Sequence, residues 1–436
     1  MPPDHTNPFA TSPMTAARAH EIAAQLDLRD LPADFHADPY PVYAALRAHE
    51  PVRRMPDGSF LFTRHADALA IYRDAQLFSS DKQVEFAPKY GAQSPLFAHH
   101  TTSLVFNDPP RHSRVRKLIM GALTRRAIAD MTPGLVTLVD GLLDHIEARG
   151  GGDLVEDFAA AIPVDVIGNL LGVPPADRGP LRGWSLAILG ALEPTLTPEQ
   201  EALGNRSVEE FTAYLKALVA DRRQHPGDPA HDVLTRLIQG DGPEAGADAL
   251  SEAELLQNCV FILNAGHETT TNLIGNALVT LQDWPDEKAR LLEAMRDKAG
   301  DSASLDALMD TAVDEFLRFE SSNQLGNRRA TADAQIAGVD LPAGSLLTIC
   351  IGAANRDPER FERPDVLELS RTDNRHLAFG FGIHQCAGLS LARLEGRIAI
   401  GRFLARFPGY RLTAAPVRGG RARFRGFLSA PFETGR

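Results

Sequence analysis

The sequence predicts a mainly α-helical fold with a small β portion, on three observations. Apolar residues recur at helical spacing through most of residues 110–320. One periodic run, Ser251 to Trp284, is much longer than an ordinary globular helix. Strand and turn signals are confined to residues 51–64 and to the stretch after residue 327.

Each element has its own justification. The opening residues, MPPDHTNPFATSPMTAARAH, are Pro-rich and lack the apolar run of a signal peptide or membrane anchor. Residues 1–37 are therefore expected to be a loose lead-in, and the protein to be soluble and cytoplasmic. PVRRMPDGSFLFTR (51–64) reads as a hairpin, with a Pro56-Asp57-Gly58 turn between two strand-like runs. Residues 81–108 form a long irregular stretch with Phe86, Tyr90, Phe97 and Phe106, the kind of segment that often covers a binding site. AIPVDVIGNLLG (161–172) and EEFTAYLKALVADRR (209–223) carry helical periodicity. The long run begins at a capping box, Ser251 with Glu254, and is stopped by Pro285. At about 1.5 Å per residue it spans roughly 50 Å, the width of a whole domain. RRATADAQIAGVDLPAGSLLTICI (328–351) then supplies short strands, and LSLARLEGRIAIGRFLARF (389–407) a further helix.

Composition narrows the function. The 436 residues include 45 Lys plus Arg against 57 Asp plus Glu, a formal charge of −12. That balance disfavours sequence-independent binding to nucleic acid, which needs clustered basic charge. The three cysteines, Cys259, Cys350 and Cys386, are scattered and none has C-x-x-C spacing. Zinc ribbons, c-type haem attachment and four-cysteine clusters are unsupported, and a reducing compartment fits. Cys259 and Cys350 read as ordinary buried thiols.

Cys386 is different. It lies in FGFGIHQCAG (379–388), among Gly380, Gly382 and Gly388 and two residues after His384. Glycines admit positive φ and let a flat group approach the backbone, and a lone thiolate suits haem iron. The whole string resembles the haem-binding signature of the cytochrome P-450 superfamily, in its bacterial soluble class. That resemblance implies haem b as cofactor, Cys386 as its axial metal ligand, and Phe379, Gly380, His384 and Gly388 as neighbours of the group.

Further motifs match the same family. Glu315 and Arg318, in DEFLRFE, match its E-x-x-R; at i, i+3 they share a helix face and can pair. Arg360, in DPERFERPD, matches the arginine expected to complete this structural lock. Ala265-Gly266-His267-Glu268-Thr269-Thr270 matches the acid–alcohol pattern of the long helix. A threonine hydroxyl there can bond the carbonyl four residues back, at Ala265. Gly266 is expected to weaken the helix and leave room for a diatomic, and His267 to point away as a structural residue. His112 and Arg116 match the H-x-x-x-R that holds a haem propionate, with His384 and Arg328 completing the set; Arg329 is the alternative register for Arg328. The resemblance runs from about residue 38 to 430. It implies one triangular α+β unit, residues 38–436, with the long helix over the haem.

The implied reaction is monooxygenation: one atom of O2 enters a small hydrophobic substrate and the other leaves as water, with Glu268 and Thr269 as catalytic proton handlers. Electrons would come from a separate ferredoxin and its NAD(P)H-dependent reductase. Arg111, Arg114, Arg116, Lys117, Arg125 and Arg126 read either as a docking patch for that carrier or as a solvated helix face. The substrate side is expected to draw on Phe261, Asn264 and Ala265 from the long helix, and on Ser322, Asn323, Gln324 and Leu325 after the E-x-x-R. The Asn and Gln amides read either as anchors for a carbonyl, hydroxyl or carboxylate, or as partners of nearby backbone. Rival functions on the same fold are a peroxygenase using H2O2, a non-catalytic haem ligand sensor, and an isomerase or dehydratase.

Overall fold

The structure, a computed structural model, describes residues 8–9, 13–229, 232–239 and 250–435. The other residues of the expected lead-in, 1–7 and 10–12, lie outside them. About 58% of the chain is helical, so the mainly α expectation holds. At the centre runs the helix Glu252–Asp283. Its capping box forms as expected: the Ser251 hydroxyl accepts from the Glu254 amide at 3.2 Å, and the Glu254 carboxylate accepts from the Ser251 amide at 2.9 Å. Most of its residues are buried on every side, as befits a helix enclosed by others. Helices Ala161–Leu170, Leu181–Gly190, Pro198–Gln224 and Leu389–Arg406 pack around it.

The principal sheet gathers distant segments: β1 (Val52–Arg54), β2 (Phe60–Phe62), β3 (Phe78–Ser79), β4 (Leu325–Ala330) and β5 (Leu346–Cys350), in the order β1-β2-β5-β4-β3. The expected hairpin is β1 with β2, in register Val52 with Phe62, and Gly58 takes φ +84° in its turn. β5 runs parallel to β2 and antiparallel to β4, with Leu325 opposite Cys350. The segment 81–108 is less irregular than its composition suggests, since it folds into helices Gln83–Tyr90 and Pro95–Thr102 and a 3₁₀ turn at Leu104–Phe106.

The lead-in is not loose from Thr15 onward. Thr15 caps a helix, Ala16–Ala24, through the Arg18 amide. Ala19, Ile22, Ala23 and Leu26 are buried with Val42, Tyr43 and Leu46 of the helix Tyr40–His49. These four positions repeat at i, i+3, i+4 and i+7, the stripe of an amphipathic helix.

Glu315 and Arg318 pair as the E-x-x-R predicts, on the helix Ser302–Phe319, with both side chains wholly buried and nitrogens 2.8 Å from each carboxylate oxygen. The third partner is Arg371, whose Nε lies 3.1 Å from Glu315. Arg360 is not part of the lock, because it faces solvent and forms a two-pronged pair with Asp373 at 2.8 and 3.0 Å. Removing one member of a buried pair strands the other charge in low dielectric, at about 3–5 kcal/mol. Glu315→Ala is therefore expected to lower unfolding stability by that amount in a denaturant titration, while Arg360→Ala leaves the midpoint near that of the parent.

Candidate active site

The segment Phe379–Gly388 folds back on itself, the Cys386 amide donating to the Phe379 carbonyl at 2.9 Å and the Gly380 amide to the Leu377 carbonyl at 2.8 Å. Gly380 and Gly382 take φ of +64° and +74°, which disfavours other residues. At Gly382 a side chain is excluded twice over, since its Cβ would lie 2.6 Å from the Tyr72 carbonyl oxygen. Gly388 sits next to the sulfur, its missing Cβ 4.0 Å from Sγ. Burial pushes the Cys386 thiol up, while the Gly388 amide and the guanidiniums of Arg116 and Arg393 pull it down.

Cys386 opens into a cavity of about 540 Å³. Phe379, Gly380, His384 and Gly388 line it beside the cysteine, while Phe261, Asn264, Ala265 and Thr269 line it from the long helix. His112 and His384 meet at the edge with ring centroids 4.2 Å apart. All four of their ring nitrogens are buried without a hydrogen-bond partner, and the nearest carboxylate, Asp108, is 3.8 Å from His384. Arg116 also lines the cavity. Arg328 lies over the Tyr72 ring at 5.1 Å and lines the same space, whereas Arg329, on the other face of β4, pairs with Glu85 at 2.6 Å. Strand alternation thus puts Arg328, and not Arg329, on the cavity side. Two orphaned imidazoles and two guanidiniums around a cavity that ends at one thiol fit a flat dicarboxylate group such as haem. Among the described residues, no cluster of His, Cys, Asp and Glu could hold a metal ion without such a group.

On the long helix, the Thr269 hydroxyl donates to the Ala265 carbonyl at 2.8 Å, as its sequence context predicts, and the helix is unbroken. Gly266 lines the main cavity, and a Cβ there would lie 2.5 Å from Ile167 Cδ1, so its missing side chain also admits the neighbouring helix. Glu268 and His267 face away from the main cavity toward a smaller one of about 30 Å³, shared with Arg182, Asn272 and Arg421. Burial pushes the Glu268 carboxyl up to about 7, against the opposing pull of Arg421, which donates to it at 2.5 Å.

Asn323 and Leu325 line the main cavity with Phe261 and Asn264. Gln324 does not: its amide turns toward the Ser321 carbonyl at 2.7 Å and fills the space beside Gly352. Of the basic residues on the helix Arg111–Ala122, Arg111 and Arg114 are held by Glu254 at 3.0 and 2.5 Å. Sequence reasoning missed His99, which lines the cavity and meets Asn264, and the arginines of RARFR (421–425). Arg421 reaches Glu268, Arg423 reaches Leu325 and Asn327, and Arg425 reaches Glu320. Their period of two is the signal of an extended segment presenting one face inward.

A single thiol at the floor of a deep cavity, an anchor for two carboxylates and an acid–alcohol pair on the crossing helix define a haem-thiolate oxygenase. The comparisons agree. The family model "Cytochrome P450" matches residues 188–409. Cytochrome P450 107B1 of Saccharopolyspora erythraea is 37% identical over 88% of this chain and 91% of that protein. Vitamin D(3) 25-hydroxylase of Pseudonocardia autotrophica is 37% identical over 86% and 87%. Among solved structures, P450BioI in complex with hexadec-9Z-enoic acid ligated acyl carrier protein is 32% identical with TM-score 0.84, covering 92% of this chain and 100% of that one. The chain belongs to the cytochrome P450 family. It is a P450 monooxygenase with haem as cofactor, and it works with a redox partner, a small substrate and O2. Among the described residues no helix is long and apolar enough to cross a membrane.

The cysteine loop supplies a test of its own. Gly382→Ala forces a side chain into positive φ and against the Tyr72 carbonyl, a strain of about 1–3 kcal/mol. It is expected to lower both the unfolding midpoint and the haem content of the purified protein, measured by denaturant titration and by absorbance per chain.

Proposed function

We propose that residues 38–436 act as one catalytic unit that inserts one atom of O2 into a small hydrophobic substrate bearing a polar group, with electrons from a separate ferredoxin and its NAD(P)H-dependent reductase. The carrying observation is that Cys386 and Thr269 line one cavity, while Glu268, the residue before Thr269, lines a second, smaller one. When held by Cys386, haem supplies the reduction of O2 and the oxygen transfer. His112, His384, Arg116 and Arg328 would hold its carboxylates, and Phe379, Gly380 and Gly388 leave its face clear. Thr269 positions a hydroxyl in the cavity. Glu268 takes protons from the rear chamber, which at about 30 Å³ has room for water, and where Glu268 Oε2, Asn272 Nδ2 and both His267 ring nitrogens have no protein partner. The intact Glu268–Thr269 pair supports reductant-driven chemistry over a peroxygenase, a sensor or an isomerase.

The elevated Glu268 value sets a sign for pH. Below about 7 the carboxyl is mostly protonated and able to deliver protons; above it, the carboxylate is retained by Arg421. Product formed per NAD(P)H is expected to fall as pH rises through about 7. Glu268→Gln should give a low, flat profile. Arg421→Met should move the inflection to higher pH, since the pull opposing burial is gone. A parent profile with no inflection between pH 6 and 8, or one unaltered by Arg421→Met, would remove Glu268 from the proton path.

For the electron carrier, Lys117, Arg125 and Arg126 are exposed, and the helix Arg125–Asp130 packs on the helix following the cysteine loop. Phe381 and Ile383 of that loop are also exposed, at 38% and 41%. A cationic surface with apolar residues beside the cysteine suits an acidic carrier. Reversing Lys117 and Arg125 together to Glu should slow ferredoxin-dependent reduction about tenfold at low salt while leaving substrate affinity as it was. Equal stopped-flow reduction rates in the two proteins would place the docking site elsewhere.

A further inference from the structure

Arg393 stands one turn into the helix Leu389–Arg406 that follows the cysteine loop, yet it does not line the cavity. Its guanidinium lies over the Phe379 ring at 5.0 Å, and the Phe379 carbonyl in turn accepts from the Cys386 amide at 2.9 Å. We propose that Arg393 is a positioning residue whose cation, held against Phe379 by Asp314, makes the haem iron bound to Cys386 easier to reduce. The inference rests on the reading of Cys386 as the haem ligand, and adds how the protein sets the readiness of that site to take up an electron.

The clamp is built from two helices and the loop between them in space. Asp314, from the helix Ser302–Phe319, accepts from Arg393 Nε at 2.7 Å and from Nη2 at 3.3 Å. His376, three residues before Phe379, lies 3.4 Å from the same carboxylate, with its ring centroid 5.8 Å from that of Phe379. Burial pushes the Asp314 carboxyl up, but His376 and Arg393 outweigh it and hold the group below its usual value, so it is ionised at neutral pH. The two-pronged contact fixes where the guanidinium sits. Arg393 is one of two cations that pull the Cys386 thiol toward the thiolate; the other, Arg116, lines the cavity. One-electron reduction of the iron adds negative charge at the same place, which a nearby cation stabilises and a nearby anion opposes. The side chains of Arg393 and Asp314 are 31% and 26% exposed, so their fields are partly screened by solvent and salt. A pair this exposed adds little to folding stability. Its opposite charges leave a signature that packing alone does not: loss of one member moves the potential down, and loss of the other moves it up.

The experiment is an equilibrium redox titration of the haem-loaded protein with mediator dyes at low salt and with no electron carrier present. Arg393→Gln is expected to make reduction about threefold less favourable, a fall of ~28 mV at 59 mV per tenfold for one electron. Asp314→Asn should shift the potential upward by about as much, and the double variant should return close to the parent. Arg393→Lys keeps the charge and should hold the parent's potential. Added salt should shrink both single shifts, since they act through the field. Asp314→Asn and Arg393→Lys keep the test open if the Gln variant folds poorly. Single variants that shift in the same direction, or a Lys variant displaced as far as the Gln one, overturn the tuning while the ligand role of Cys386 stands. So does an Arg393→Gln potential equal to the parent's. A reduced, carbon monoxide-bound parent protein without the spectrum of a thiolate ligand overturns the reading of Cys386 and the tuning with it.

Discussion

A single carboxylate, Glu315, organises the half of the protein that carries the cysteine. It is wholly buried, which would be prohibitive for an isolated charge. Its oxygens accept from both ends of the Arg318 guanidinium, from Arg371, from the Glu368 amide and from Asn374, so no lone pair goes begging. Arg318 in turn donates to the carbonyls of Asn355, Pro364 and Val366. The Asn355 side chain bridges Ser321 and the Leu377 amide, at 2.8 and 2.7 Å. Leu377 then receives Gly380, and Phe379 receives Cys386. The position of the sulfur can be traced bond by bond to one buried ion pair. Such a pair adds little net stability over an apolar substitute. What it gives here is one geometry for an otherwise irregular segment, held from a second side where the neighbouring Asp314 pairs with Arg393 at 2.7 Å.

The long helix divides two chemical environments. Successive helical residues point about 100° apart, and Glu268 and Thr269 face different spaces. Thr269 looks into the apolar cavity; Glu268 looks into a small polar chamber closed by a C-terminal arginine. On the proposed proton path, protons would therefore pass around the helix. The helix backbone is unbroken and the Thr269 hydroxyl donates to Ala265, so it can accept a hydrogen bond in the cavity but must leave that carbonyl before it can donate one there.

Much of this was legible in the sequence, for identifiable reasons. The capping box, the Pro285 stop and the hairpin turn are local signals, and each was read where it formed. The cysteine segment was legible because positive-φ glycines leave a mark no other residue can supply. Arg371 was not, because the partner of Glu315 is chosen by how an irregular segment folds back, and the motif arginine at Arg360 was as close in sequence. The packing beside Gly266 was not legible for a related reason: its neighbour, Ile167, belongs to another helix. The amphipathic stripe at Ala19–Leu26 and the alternating arginines at 421–425 were readable by period alone.

The cavity's charge is also set by contacts no linear reading supplies. Lys89 and Arg423 both line it, which taken alone suggests a seat for an anion. Both already hold protein acceptors. Lys89 Nζ gives a 2.6 Å bond to the Glu193 carbonyl, and burial holds its ammonium down to about 8. Arg423 donates to the carbonyls of Leu192 and Leu325 and to Asn327. The Glu193 carboxylate, capping the amides of residues 422–424, adds a negative charge beside them. The cations thus tie the cavity roof to its walls. An incoming carboxylate would have to break those bonds and shed its own water.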